Sequence, residues 1–103
     1  MSRVTWTRAG EADLEEIILF IDEQAGRRSV AQEIYFEIVE KCRLYAKEPM
    51  LGQAYPELGE NYRGFVHKRW LVVYQARGYG IEVFAVLDTS RDFASYFQRR
   101  MAT

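Results

Sequence analysis

The fold is decided between residues 62 and 88, YRGFVHKRWLVVYQARGYGIEVFAVLD. β-branched and aromatic residues dominate this stretch, the composition that packs well on a pleated surface. YRGFVHK and RWLVVYQA read as two strands. In the third, Ile81, Val83, Ala85 and Leu87 alternate against Glu82, Phe84 and Val86, the period of a strand with two distinct faces. RGYG between the last two is a compact hairpin connection. No helical segment separates the strands, so they are expected to pair as antiparallel hairpins.

Upstream, EPMLGQAYPELGENY (residues 48–62) is rich in Gly and Pro and carries the chain from helix to sheet. Two helices precede it. In AGEADLEEIILFIDEQAG, Leu14, Ile17, Ile18, Ile21 and Ala25 recur at helical spacing, acidic residues fill the first turn and Gly26 is a natural stop. Leu19 lies opposite that stripe with Phe20 at its flank; each is either a rim residue or a contact for a partner. The second helix opens at SVAQ, where Ser29 and Gln32 stand at capping-box spacing. It continues with Ile34, Ile38, Cys42 and Tyr45 on one stripe and Glu37 placed to pair with Lys41, and Pro49 ends it. Residues 3–7 (RVTWT) predict a short first strand, and DFASYFQRRMAT (residues 92–103) a short terminal helix whose Phe93, Tyr96 and Phe97 fold back onto the sheet. A helical hairpin covering one face of a small, mainly antiparallel sheet buries both apolar stripes, an α+β architecture in a single domain over residues 1–103.

Composition narrows the function classes. With 49% hydrophobic and 28% charged residues the chain has the make-up of a folded domain and not of a disordered tail. No apolar run approaches the roughly 20 residues of a membrane helix, and MSRVTWTRAGEADL has no signal-peptide core. The single cysteine, Cys42, excludes an internal disulfide and a multi-cysteine zinc site. The expected location is the cytoplasm, with no cofactor and no metal. Residues 1–60 carry a balance of −5 and residues 61–103 one of +4, so a basic second half is available to a nucleic acid or to an acidic protein segment.

Four landmarks in order, AGEADLEEIILFI, EPMLGQAYPEL, YRGFVHKRWLVVYQ and IEVFAVLDTSRD, resemble the RelE/ParE superfamily of type II toxin–antitoxin toxins over nearly the whole length. The helix pair and the Pro-Gly loop look more like the ParE branch. That resemblance implies a toxin that binds DNA gyrase and blocks it in its DNA-cleaved state without catalysing a reaction. It also implies a cognate antitoxin whose flexible C-terminal segment lays a helix in a groove and adds a strand at the sheet edge. The RelE branch implies instead a ribosome-dependent messenger RNA endoribonuclease, and a third alternative is a degenerate member that only binds antitoxin.

Chemistry bears on the choice. Cleavage by 2′-hydroxyl attack needs a base, an acid and cations around the phosphorane. Arg63, Lys68, Arg69 and Arg91 can supply cations. Proton carriers are scarce: His67 is the only histidine, and Asp88 stands where many members of the superfamily carry a histidine. Glu82, Asp88 and Tyr96 are the remaining candidates for that role. A nuclease would use Arg63, His67 and Arg91; a docking toxin would present Leu19, Phe20, Arg63, Lys68, Arg69, Arg91, Tyr96 and Phe97 to target or antitoxin. Arg63, the superfamily's recurrent strand arginine, has a structural alternative in a pair with Glu57 or Asp88. Trp70 and Tyr74 share a face by strand parity and are expected in the core.

Overall fold

The structure, a computed structural model, describes residues 1–26 and 28–102; the side chain of Ala25, expected at the end of the first stripe, lies outside the described residues. Its elements are β1 (Arg3–Trp6), α1 (Arg8–Ala25), α2 (Arg28–Lys47), β2 (Gln53–Ala54), β3 (Tyr62–His67), β4 (Trp70–Arg77), β5 (Gly80–Asp88) and α3 (Phe93–Met101). Single 3-10 turns at Pro49–Leu51 and Pro56–Leu58 flank β2. The chain is α+β, with one mixed sheet in the order β1-β5-β4-β3-β2.

Strand β1 passes into α1 within one residue. Thr7 is extended (φ −70°, ψ 160°) and its hydroxyl accepts from the Gly10 amide at 3.0 Å, satisfying one of the helix's orphan donors. At the other end Gly26 takes the left-handed conformation (φ 63°) and its amide donates to the Asp22 carbonyl, as the Gly stop predicts. Ser29 and Gln32 do not flank the start of α2 as a capping box would. That helix already begins at Arg28, so Ser29 lies inside its first turn, and Arg27 is outside the described residues. Nor does Glu37 pair along the helix with Lys41; it reaches across to His67 on β3.

Both faces of the sheet are covered. Leu14 of α1 and Ile34, Ile38, Cys42 and Ala46 of α2 pack on Phe65, Trp70, Val72, Tyr74, Ile81, Val83 and Val86. On the opposite face Leu71, Val73, Ala85 and Leu87 meet Phe97 of α3 and the 3-10 segment's Tyr55 and Leu58. The strict alternation expected along β5 is thus broken. Val73 opposes Ala85 but Tyr74 opposes Val83, so Phe84 is an extra residue in a β-bulge. The insertion shifts the parity, sending Ile81, Val83 and Val86 to the helices and Ala85 and Leu87 to the other side. Trp70 and Tyr74 are core residues on one face, as expected.

The one departure from antiparallel wiring is β1, which runs parallel to β5 from Arg3 opposite Gly80 to Trp6 opposite Val83. Gly80 makes this possible. Its φ is +146°, and a Cβ there would lie 2.1 Å from the Arg3 carbonyl oxygen. Gly80→Ala is therefore expected to destabilise the chain by more than the roughly 1–3 kcal/mol that a strained backbone alone costs, because the β1–β5 ladder must also move. Gly26→Ala is the control: it meets no atom within 4 Å and should lose only the left-handed penalty, about 1–2 kcal/mol. Urea unfolding of the two variants makes the comparison; equal losses would refute the clash.

Candidate docking groove

β1 ends opposite Val83, and β5 continues for five residues with no strand of the described residues on that side. A groove of about 680 Å³ lies over this end of β5. α1 forms one wall, with Glu16, Ile17, Leu19, Phe20 and Glu23. The turn after β5 and α3 form the other, with Arg91, Phe93, Tyr96 and Arg99. Trp70, Val86, Leu87 and Asp88 make the floor.

The groove gathers residues far apart in the chain. Leu19 and Phe20, off the buried stripe of α1, are 62% and 53% exposed, and Tyr96 is 49% exposed. Arg69 enters from the β3–β4 turn and donates to Asp88 at 2.6 Å. Asp88 also accepts from the amide and the hydroxyl of Ser90, at 2.9 and 2.7 Å. The Arg69 guanidinium first, and then the Ser90 donors, hold the Asp88 carboxyl down at about 2, below its ordinary 3.8. A carboxyl depressed by folding stabilises the fold above its unfolded pKa and loses that contribution as pH falls through the folded one. Asp88 should therefore report a loss of stability between about pH 4 and pH 2. Carboxyl NMR titration should locate the midpoint near the lower end, and Asp88→Asn should remove this acid-side component from the urea midpoint profile. A midpoint near 4 would refute the arrangement.

Five of the sequence-predicted docking residues, Leu19, Phe20, Arg69, Arg91 and Tyr96, line the groove. The others do not. Phe97 is corrected from a docking residue to a core residue: it is fully buried, edge-to-face with Tyr62 at 5.0 Å. Lys68 sits in the tight β3–β4 turn at φ 56°, exposed and outside the groove lining. Arg63 pairs with neither Glu57 nor Asp88; it donates to the carbonyls of Gly52 (2.7 Å) and Met50 (3.4 Å), holding the 49–52 turn against β3. His67, the single histidine, is buried at 8% with its Nε2 2.8 Å from Glu37. The three residues a nuclease would use therefore serve a turn, a helix–strand tie and the groove wall. Cys42 is 1% exposed, and burial pushes its thiol up to about 12, so it stays protonated and unreactive at neutral pH. Among the described residues no cluster of three or more His, Cys, Asp or Glu is arranged to hold a metal, and no helix is long and apolar enough to cross a membrane.

The groove also has residues that were not among the expected docking residues. Trp70, a core residue as expected, lends part of its surface to the floor, and Arg99, Glu16 and Glu23 join the walls. Only the uncovered end of β5 brings them together, and that depends on where β1 stops.

A family profile described as the ParE toxin of the type II toxin–antitoxin system parDE matches residues 4–93. The chain belongs to the ParE toxin family. The matched span reaches from β1 through β5 to the first residue of α3, so it includes the α1 wall and the floor of the groove. Among solved structures, a chain of the chromosomal ParDE toxin–antitoxin system from P. aeruginosa is similar at 20% identity, with a TM-score of 0.71 over 85% of this chain and 96% of that one. At that identity the likeness concerns the fold. No curated protein sequence matches. The chain is thus a ParE toxin of a type II toxin–antitoxin system.

Proposed function

We propose that this ParE-family toxin acts in the cytoplasm by binding DNA gyrase and holding it in its DNA-cleaved state, and that a cognate antitoxin neutralises it by occupying the groove between α1 and α3. The observation that carries the antitoxin half is the groove itself: exposed Leu19, Phe20 and Tyr96 lie around a floor containing Trp70. An amphipathic helix places apolar anchors into such a cleft at i, i+3, i+4 and i+7. The walls differ in net charge, Glu16 and Glu23 on α1 against Arg91 and Arg99 on the other side, where Asp92 caps α3. A fitting segment is acidic on the flank facing Arg91 and Arg99 and basic on the flank facing α1, so charge sets its direction in the groove.

The gyrase half is supported by family membership and by the dispersal of Arg63, His67 and Arg91; Asp88, which does line the groove, is held ionised by Arg69 and Ser90 and has no proton to give a leaving group at neutral pH. A strand of the same antitoxin segment has an open sheet edge at β1, beside a hollow of about 440 Å³ lined by Val4, Trp6, Leu44 and the basic Arg43 and Lys47.

The test is induction of this chain alone in a susceptible bacterium, scoring DNA breaks and the SOS response beside transcript integrity. Early DNA damage with intact transcripts is the expected result. Rapid transcript cleavage with intact DNA would overturn it in favour of a ribonuclease, and normal growth in favour of a member that only binds antitoxin.

A further inference from the structure

Asp13 and Arg100 stand 87 residues apart in sequence and form a two-pronged ion pair, with Nη1 2.9 Å and Nη2 2.6 Å from the two carboxylate oxygens. Their side chains are 11% and 19% exposed. Each also bonds the backbone of β5 beyond the end of β1. The Val86 amide donates to Asp13 at 3.0 Å, and Arg100 donates to the Phe84 carbonyl at 3.3 Å. The pair therefore supplies the partners that a neighbouring strand would supply, at the bulge where β1 has already turned into α1. The Arg100 guanidinium also lies 5.3 Å over the Tyr96 ring.

We infer that Asp13 and Arg100 are the positioning residues of the docking groove, clamping α3 to α1 across the uncovered edge of β5 and setting Tyr96 in the groove wall. The argument is geometric. α1 and α3 lie on opposite faces of the sheet, and a nine-residue helix is too short to persist without tertiary contacts. Phe97 anchors its middle in the lower core and Gln98 donates to the Glu57 carbonyl, but neither touches α1. The Asp13–Arg100 pair bridges the two walls directly. Its chemistry also has a direction. Position 13 must accept from an N–H and position 100 must donate to a carbonyl, so reversing the charges cannot restore the arrangement as it would for a simple surface ion pair. Removing Arg100 leaves the largely buried Asp13 carboxylate without this counter-charge.

The groove's use by an antitoxin rests on the reading above, but the clamp is measured on the free chain, so either can fail without the other. Hydrogen exchange of the full chain should show α3 amides exchanging at least tenfold faster in Arg100→Ala, with α2 and β4 unchanged, and the Tyr96 ring resonances shifted in the NMR spectrum while those of Tyr35 stay put. Arg100→Lys, which keeps the charge and loses the fork, should lie between; it also serves if Arg100→Ala does not fold. The exchanged pair Asp13→Arg with Arg100→Asp should protect α3 no better than Arg100→Ala. Unchanged α3 exchange and Tyr96 shifts in both Arg100 variants, or full recovery in the exchanged pair, would overturn the inference.

Discussion

Changing Leu19 and Phe20 together to Glu should weaken binding of the neutralising antitoxin by about a hundredfold or more while leaving the thermal midpoint of the free toxin nearly unchanged. Both side chains are more than half exposed in the free chain, so the fold has little to lose from their replacement. Each has most of its apolar surface still to bury, and a fully buried large apolar side chain contributes about 1.5–3 kcal/mol. After a discount for the part already covered, two anchors amount to about 3 kcal/mol, which at 1.4 kcal/mol per decade is two decades in affinity. The new carboxylates also add to Glu16 and Glu23 on the same wall and would repel an acidic flank laid in the wrong direction. Tyr35 and Phe36 provide the control. They are likewise exposed, 43% and 64%, and stack edge-to-face on α2, away from the groove lining. Glu at both of those positions should leave the affinity within a few-fold, and the contrast can be read by titration calorimetry with the purified antitoxin. An antitoxin that binds the groove variant normally, or is equally impaired by the α2 variant, does not use this groove.

The same two residues show what a sequence can display about a docking surface. Leu19 and Phe20 were visible because an apolar residue off a helical stripe has no core to enter, and periodicity alone marks it. Phe97 was expected both to fold back onto the sheet and to serve docking, and only the first holds; neighbouring residues on a helix diverge by about 100°. Of Tyr96 and Phe97, one had to point inward. Arg91 and Arg69 were selected for their charge, which says nothing about position; they reach the groove because the β3–β4 turn and the end of β5 lie at one end of the sheet.

Fold elements divided along similar lines. Local periodicity revealed α1, α2 and the long strands. Strand β2 is two residues long, held by pairing of Gln53 with Gly64 and of Ala54 with Arg63, and two residues carry no period. The bulge at Phe84 was hidden because Phe84, Ala85 and Val86 are all apolar, so the sequence pattern is unchanged whichever face each one takes. Parallel pairing of β1 with β5 is a tertiary choice, though Gly80 was a clue, since a glycine opening a strand often marks a close backbone approach. Asp13 and Arg100 were the least visible of all. An acid near the start of a helix reads as a partner for the helix dipole, although Asp13 is the sixth residue of α1, and an arginine in a basic run reads as a solvated charge. Neither reading hints that the two meet across a strand edge.

The wall formed by α3 depends on a residue that never faces the groove. Phe97→Ala should cost about 3–5 kcal/mol, the usual range for emptying a Phe site in a packed core, because Phe97 is fully buried among Leu71, Val73 and Leu87 and meets Tyr62 edge-to-face. That is a large part of the 5–15 kcal/mol by which a domain of this size is stable. Tyr96→Ala, one position earlier and half exposed, should cost less than about 1 kcal/mol, and the urea midpoints of the two variants should separate clearly. Nine residues of helix cannot hold their shape without tertiary contacts, so the α3 amides of Phe97→Ala should lose protection before those of β4 and β5. Antitoxin binding then falls as well, although Phe97 touches no partner, because Phe93, Tyr96 and Arg99 form their wall only while α3 is docked. Equal urea midpoints for Phe97→Ala and Tyr96→Ala would mean that α3 is held mainly by its bonds to Asp13 and Glu57, and that the lower core ends at Leu87.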